Sequence, residues 1–581
     1  MLMLSWSKPG PRASNCPVCA MQGMKQPVLQ IFGGRGGSRS AVILQCAACQ
    51  ARYADPMHPA DYEKVDRDGL KFYLEQGAGI RTMLEPFLLA DARPIRRYLE
   101  IGCGFGFVMD YGRRMFGWQV QGFDPGFIAA AGREALALPI ENRYFAGVGP
   151  KDAKFDLVFC SEVLEHIADP GQFVQRLRNA LTENGLLLLT TPNGDALVPG
   201  TPEELLLPIL SPGQHVILYN GAAVTTLLKE SGFTHIRVSD RGHQLHVAAS
   251  TVPFVGASSH FSPELYRRYL EQAVRDHDAM SSLGAGLLCR LLKEELNRGQ
   301  YAAAQRLYDR LQHAYRHRYG FDTETLKLGD FRQAAPASFR EFSKAWPLNL
   351  AGVLYARGLI RLLHEGEPQP AARTLHVSMR FGSELRARLR AIGTDDAESA
   401  HLCREAEIAR LHALARCRPA AAVAALRRLS ADNGDVDSAS AGSHADRARR
   451  RVFVDLINLG HYKLAEKLVE TMVDPECWAA QSADDTAFAW GIYLLNHRSD
   501  FAAAAAVFGK IWERSSRSPR DDNALIWAAR FHQGLACRYQ GDYRTAALIA
   551  AEISTEPAPV PEELRRRTDE LVAASPAIGE G

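Results

Sequence analysis

The segment YLEIGCGFG, Tyr98 to Gly106, constrains this chain more than any other. An apolar run gives way to a turn in which Glu100, Gly102, Gly104 and Gly106 take alternate positions. Such a run suits a buried parallel strand entering an α/β sheet. Glycines let the chain turn sharply after the strand and leave its backbone open to a ligand. The next apolar segment, QVQGFDP, contains Asp124, twenty positions after Gly104. An acidic residue at the end of the second strand is placed to bind both hydroxyls of a ribose. No G-K-[ST] follows. The expected ligand is therefore an adenosine without a polyphosphate.

E-x-G-x-G-x-G followed by that acid resembles the class I S-adenosylmethionine-dependent methyltransferases. FDLVFCSEVLEHIADP (Phe155 to Pro170) resembles the family's fourth strand and the helix after it, and LLLLTTPN (Leu186 to Asn193) its fifth strand. The resemblance covers Tyr62 to Ser250, roughly a third of the chain. It implies an α/β fold, a Rossmann-like seven-stranded domain. It also implies S-adenosylmethionine as cofactor, held by Glu100, Gly102, Cys103, Gly104, Gly106, Asp124, Pro125, Cys160 and Ser161. Helices are expected over 107–116, 127–137 and 222–231. Strands are expected over 119–123, at Tyr144 and Phe145, and in FTHIRVSD and QLHVAAS, the last two antiparallel. The family's adenine contact falls at Ala146 to Gly149, where the nearest acid is Asp152, so backbone groups are expected to serve. Upstream, 56–97 reads as helical through Leu70, Tyr73, Leu74, Ile80, Met83, Leu84 and Phe87. In the resembling family, helices here close over the cofactor.

Candidate chemistry concentrates in SEVLEH, directly after the fourth strand. Open α/β sheets bind ligands at this carboxyl edge. If the helix begins at once, Glu162, Glu165 and His166 share one face. Either His166 is a general base toward an acceptor hydroxyl, or the three hold a divalent cation, Mg²⁺ or Mn²⁺, that acidifies the hydroxyl. The pattern resembles the metal-binding E-x-x-E-H of small-RNA 2′-O-methyltransferases and ubiquinone-pathway O-methyltransferases, and His215 stands where the former place a second histidine. The Pro- and Gly-rich stretch 194–215 reads as a loop over the acceptor. His243 and His246 read as structural strand histidines.

Cys16 and Cys19 form CPVC, and Cys46 and Cys49 form CAAC, with 26 residues between. Two such knuckles across a hairpin supply four thiolates for one tetrahedral zinc. A glycine-rich turn is expected in 33–39, feeding a strand over Ala41 to Gln45. A module this small needs its metal to fold. It resembles the zinc ribbon at the start of bacterial methyltransferases that modify nucleotide-linked sugars. The other seven of the 11 cysteines are scattered, which fits a reducing, cytoplasmic setting rather than a disulfide framework. The start MLMLSWSKPGPR does not read as a secretory signal, and there is no long apolar run for a membrane span.

Beyond Pro253 the chain is rich in Ala, Leu and Arg with helical periodicity. Gly299-Gln-Tyr301-x-x-Ala304, Gly460-His-Tyr462-x-x-Ala465 and Gly541-Asp-Tyr543-x-x-Ala546 share one spacing, joined by Ser499-Asp-Phe501-x-x-Ala504 and more weakly by Gly366 to Ala371. In a helix–turn–helix repeat the glycine turns the chain and the alanine admits a neighbouring helix. The pattern resembles tetratricopeptide repeats, although Gly460, Ser499 and Gly541 are 39 and 42 residues apart. A linker is expected over 430–444, and Arg447 with Arg449 to Arg451 reads as a solvated helix start.

A length of 581 residues allows about three or four domains. The expected division is a zinc ribbon (1–60), a methyltransferase domain (61–252), a helical domain (253–430) and a helical repeat domain (431–581). Lys plus Arg, 68, nearly balances Asp plus Glu, 66, so charge gives nucleic acid no special footing. The leading function is methyl transfer to a hydroxyl or sugar carbon of a carbohydrate or small metabolite. The alternatives are a protein methyltransferase or scaffold that uses its repeats to hold a partner, and an RNA 2′-O-methyltransferase with a cation at Glu162, Glu165, His166 and His215.

Overall fold

The computed structural model describes residues 3–6, 9–32, 40–61, 69–149, 153–255, 259–333, 338–392, 394–432, 444–470, 484–516, 524–555 and 560–572. The expected glycine-rich turn (33–39), Asp152 and most of the expected linker (433–443) lie outside them. The chain divides into two compact units, Met1–Arg357 with Val377–Cys403, and Gly358–His376 with Arg404–Gly581.

The first unit holds two sheets. Strands β1 (Met3–Ser5), β2 (Arg12–Ala13), β3 (Met24–Phe32), β4 (Ala41–Gln45) and β5 (Arg52–Asp55) form an antiparallel ribbon. The larger sheet contains β6 (Arg97–Ile101), β7 (Gln119–Phe123), β8 (Ile140–Glu141), β9 (Phe155–Ser161) and β10 (Leu181–Pro192). A two-residue strand β11 (Ile217–Leu218) precedes its last members, β12 (His235–Asp240) and β13 (Gln244–Ser250). The order is β12-β13-β10-β9-β6-β7-β8, a seven-stranded Rossmann-like sheet. The strands β10-β9-β6-β7-β8 are parallel, and β13 runs antiparallel to both β10 and β12. The continuous apolar stretches in β9 and β10 belong to its centre, where Leu157, Val158, Phe159 and Leu186 to Leu188 are fully buried.

β11 does not join this sheet. It pairs antiparallel with β5, Ile217 against Tyr53 and Leu218 against Arg52, and so extends the ribbon. The cysteine knuckles share one apolar core with Leu99, Ile101, Val158 and Tyr219 of the larger domain. The helices Pro263–Asp276 and Ser282–Asn297 belong to the same compact unit as both sheets. Tyr269 of the first of these helices meets Tyr111 edge-on at 5.5 Å.

Three local expectations are corrected. The strand expected at Tyr144 and Phe145 is instead at Ile140–Glu141, and Phe145 is buried with its ring 5.2 Å from that of Phe123. The upstream helical region is broken. Helix Leu70–Phe72 runs into a π-helical turn, Tyr73–Gly77, and after Ala78 and Gly79 a second helix, Ile80–Leu84, leads into a 3₁₀ turn, Glu85–Leu89. The loop expected over 194–215 contains the helix Glu203–Leu210, whose Leu206, Ile209 and Leu210 pack against Leu29, Ile31 and Ile43 of the ribbon.

In the all-helical part, each repeat motif turns the chain as its composition requires. Gly299, Gly366, Gly460 and Gly541 have φ between +70° and +92°, and Ser499 has +52°. That left-handed geometry ends a helix at lowest cost with glycine. The next helices are Tyr301–Tyr319, Pro368–Ala391, Tyr462–Val469, Phe501–Ser516 and Tyr543–Thr555. Ala304, Ala371, Ala465, Ala504 and Ala546 are completely buried where neighbouring helices approach. The arginine cluster is tied down locally: Arg447 pairs with Glu405 at 2.6 Å, Arg450 with Asp446 at 2.7 Å and Arg451 with Asp455 at 3.6 Å. Among the described residues, no helix is long and apolar enough to cross a membrane.

Candidate active site

β6 ends at Ile101, and the chain then passes through three left-handed residues, Gly102 (φ +69°), Gly104 (+48°) and Gly106 (+83°). A side chain at Gly102 would strike Val163 Cγ2 at 2.2 Å, and one at Gly104 would meet the Tyr73 hydroxyl at 3.2 Å. The helix Phe107–Phe116 starts at Gly106 and aims its first N–H groups back at this turn. Asp124, just beyond β7, accepts the Gly104 N–H through Oδ2 at 2.9 Å and the Gly126 N–H through Oδ1 at 2.7 Å. Burial nevertheless holds its pKa above the ordinary value. Glu100 is buried and accepts the Tyr98 hydroxyl at 2.9 Å. Burial, with Asp124 nearby, pushes Glu100 up to about 8.

This glycine cradle with its half-buried acid fits an adenosine cofactor carrying no polyphosphate. Gly102, Gly104, Gly106, Glu100 and Asp124 gather there. Cys103 and Cys160 have their side chains buried, so only their backbones could meet a ligand. Ser161 shares a hydrogen bond with Thr190, hydroxyl to hydroxyl, at 2.8 Å. The approach of Tyr73 to Gly104 escaped sequence reasoning, because Tyr73 reads as one more apolar residue of a packing helix.

After β9 the chain does not continue as a helix. Glu162 takes φ +53°, a three-residue 3₁₀ turn, Leu164–His166, comes next, and the helix Pro170–Ala180 begins only after it. Glu162, Glu165 and His166 therefore do not share a helix face. Glu162 is exposed, and its Oε1 accepts from Thr190 Oγ1 and Gln244 Nε2, both at 2.9 Å. Gln244 is itself held by His246, which is buried on β13, at 2.9 Å. A non-glycine residue in this backbone region is uncommon and tends to mark functional sites.

Glu165 turns inward and meets His166 and His215. Its Oε2 accepts from Thr191 Oγ1 at 2.9 Å, while its buried Oε1 has no hydrogen-bond partner. Oε1 lies 3.7 Å from His166 Nε2 and 3.9 Å from His215 Nε2. The two rings meet edge-on with centroids 4.7 Å apart. His215 Nδ1 donates to the Ile209 carbonyl at 2.7 Å, which leaves Nε2 its lone pair. His166 Nδ1 lies 3.1 Å from the Gln214 carbonyl. Burial and the neighbouring His166 push His215 down to about 3, burial lowers His166, and burial with Glu162 nearby raises Glu165. The structure thus brings together three of the four residues expected here, and Glu162 stands apart.

Cys16, Cys19, Cys46 and Cys49 converge, with Sγ atoms 3.5 Å apart for Cys16–Cys49 and 3.7 Å for Cys19–Cys46. A tetrahedral zinc with Zn–S near 2.3 Å has S···S edges of about 3.8 Å. The knuckles repeat one geometry: Ala20 and Gln50 have φ +55° and +65°, and their N–H groups donate to the Cys16 and Cys46 carbonyls. The cluster fits a structural zinc. A shallow cavity of about 560 Å³, lined by Asp91, Arg93, Asp156 and Glu183, lies at the opposite, amino edge of the sheet, away from all of this chemistry.

A family model described as a methyltransferase domain matches residues 73–238. The chain is 34% identical over 125 residues to the ubiquinone biosynthesis O-methyltransferase of Azorhizobium caulinodans, covering 20% of this chain and 49% of that one. It is 38% identical over 103 residues to the protein of the same name from Bradyrhizobium diazoefficiens, covering 17% and 40%. It thus spans no more than half the length of these curated relatives. A SAM dependent methyltransferase from Aquifex aeolicus aligns in structure with a TM-score of 0.25 and 20% identity, covering 32% of this chain and 100% of that one.

Proposed function

With residues 73–238 forming a class I S-adenosylmethionine-dependent methyltransferase domain, we propose that the whole chain methylates a hydroxyl, or a sugar carbon, of a carbohydrate or small-metabolite acceptor. The observation that carries the reading is the cradle of Gly102, Gly104 and Gly106 closed by the half-buried carboxylate of Asp124. Relatives named O-methyltransferases support an oxygen acceptor. The cofactor supplies a methyl group on a sulfonium sulfur, already activated for displacement. The chain's own residues then have two tasks, alignment and removal of one proton. Asp124 holds the ribose, and the glycine backbone admits the rest of the cofactor. Glu162 and His166 lie past the end of β9, beside the glycine turn that Val163 touches. His166, kept neutral by burial, accepts the hydroxyl proton as the acceptor oxygen bonds to the methyl carbon.

A second reading has its own observation, the unpartnered Glu165 Oε1 facing two imidazole nitrogens. Two imidazoles and one carboxylate suit Mn²⁺, Zn²⁺ or Co²⁺ better than Mg²⁺, which prefers oxygen ligands. Glu165, His166 and His215 would hold the cation, and the cation would acidify the acceptor hydroxyl.

Titration calorimetry with S-adenosylmethionine tests the foundation. Asp124→Ala should weaken binding by about 1.5–3 kcal/mol, the scale of lost charge-assisted hydrogen bonds. Unchanged affinity in that variant, or no binding by the wild type, would overturn it. Mass spectrometry of metabolites and glycans from cells lacking the chain, compared with cells carrying Asp124→Ala, should reveal the acceptor. His166→Ala should leave cofactor affinity intact and slow turnover about 10²–10⁴-fold if it is the base. Loss of turnover with chelator and its return with Mn²⁺ would select the cation instead.

A further inference from the structure

The turn that carries Tyr73 is held from outside the methyltransferase domain. Tyr73 opens the π-helical turn Tyr73–Gly77, whose wide Ala78 N–H to Tyr73 carbonyl bond closes at 2.8 Å. Its hydroxyl sits over the Gly104 backbone and its ring stacks on Phe107 with centroids 6.2 Å apart. A π turn leaves its last carbonyls without helical partners. Arg290, on the helix Ser282–Asn297, supplies them: its guanidinium donates to the Leu74 carbonyl at 2.8 Å, to Gln76 at 3.4 Å and to Ala78 at 2.7 Å. Glu75, in the middle of the turn, accepts the Ser282 hydroxyl at 2.9 Å and the Leu348 N–H at 2.8 Å. Lys71, just before the turn, donates to the carbonyls of Ser343 and Trp346. At Gly286 the helix comes so close that a side chain would meet the Leu74 carbonyl at 2.0 Å.

We propose that Tyr73 is a cofactor-contacting residue and that Arg290 is its positioning residue, so that the helical region after residue 253 sets how firmly S-adenosylmethionine is held. The inference rests on the cofactor reading above. The Tyr73 hydroxyl borders the place left by the missing side chain of Gly104, so a ligand lying on that backbone would meet it. The Arg290 guanidinium is spent on the carbonyls of Leu74, Gln76 and Ala78. Its influence passes through the placement of Tyr73. A planar fork that bonds several carbonyls at once fixes a short turn as a single donor cannot.

The test is a double-mutant cycle on S-adenosylmethionine affinity in the full chain, using Tyr73→Ala, Arg290→Met and both together. Tyr73→Ala should weaken binding about tenfold, Arg290→Met should weaken it by a similar factor, and the double variant should be no weaker than Tyr73→Ala alone. Methionine keeps the aliphatic stem of Arg290 packed. If that variant does not fold, Ser282→Ala, which removes a bond to Glu75, takes its place in the cycle. Strictly additive losses would show that Arg290 acts by another route, and affinity unchanged in Tyr73→Ala would remove Tyr73 from the site; either result overturns the proposal. A wild-type chain that binds no S-adenosylmethionine would overturn the cofactor reading, and this inference with it.

Discussion

Glu100 is the penultimate residue of β6, its carboxyl buried, bonded to Tyr98 and near Asp124. Its folded pKa of about 8 lies well above the ordinary 4.5. A carboxyl raised in this way stays protonated in the folded chain at neutral pH. Its contribution to stability is complete below about pH 4.5 and is lost as pH rises through about 8. A cationic sulfonium cofactor held at the glycine turn would favour the ionised form, so binding should release a proton. The affinity for S-adenosylmethionine should therefore rise with pH between about 6 and 8, by at most about tenfold per unit, and Glu100→Gln should flatten the slope. Calorimetry at pH 6.5, 7.5 and 8.5, in buffers of different ionisation heat, checks both the slope and the proton. A slope that survives in Glu100→Gln would assign the titration to another group.

At the scale of elements, β11 does the most with the fewest residues. The Ala54 N–H donates to the Val216 carbonyl at 2.9 Å, and the Val216 N–H donates to the Glu165 carbonyl at 2.8 Å. Arg52 of β5 donates to the carbonyls of Gly194 and Leu197 in the turn after β10. The ribbon therefore holds the segment that carries His215, and the four cysteines hold the ribbon. Removing the metal, by chelation or by Cys49→Ser, should speed hydrogen exchange at the amides of Val216 and Leu218 while those of β9 and β10 stay protected. Exchange unchanged at Val216 after zinc loss would show that the segment stands without the metal. Elemental analysis should find about one zinc per chain at the cysteines. Nothing local announces β11: two residues have no period, and their partner lies far upstream in sequence. The helix Glu203–Leu210 was equally hidden, since Pro202 and Pro208 read as loop residues and only burial of its leucines explains it. By contrast β4, β7 and the helix Phe107–Phe116 stand where their apolar patterns and flanking glycines put them. The meeting of the glycine turn with Asp124 was legible for the same reason, because its glycines and Asp124 lie on consecutive elements. The Glu165–His166–His215 meeting was only half legible: the identities were readable, but the left-handed Glu162 and the β11 bond that shape it were not.

At the scale of the molecule, the chemistry and the repeats from Gly366 onward belong to different compact units. The glycine cradle, Asp124, Glu165, His166, His215 and the four cysteines all fall in Met1–Arg357, whereas the repeat motifs from Gly366 onward fall in the unit of Gly358–His376 and Arg404–Gly581. The second unit has its own apolar core, including Leu411, Phe453, Trp490, Phe508 and Ala546. Two separate cores, of which only the first takes the ligand, should melt in two steps. S-adenosylmethionine at 100 times its Kd should stabilise the first unit by about 2.7 kcal/mol and leave the other step in place. A substitution in a repeat turn should do the reverse. Gly541 has φ +92°, and a side chain there would touch nothing within 4 Å, so Gly541→Ala tests backbone geometry alone. Holding an L-residue in that region costs about 1–2 kcal/mol. Scanning calorimetry of Gly541→Ala should show only the ligand-insensitive step shifted down, with S-adenosylmethionine affinity equal to wild type. A single transition that moves as a whole with both the ligand and the substitution would mean that the two units unfold together, and that the repeats contribute to holding the cofactor site in shape.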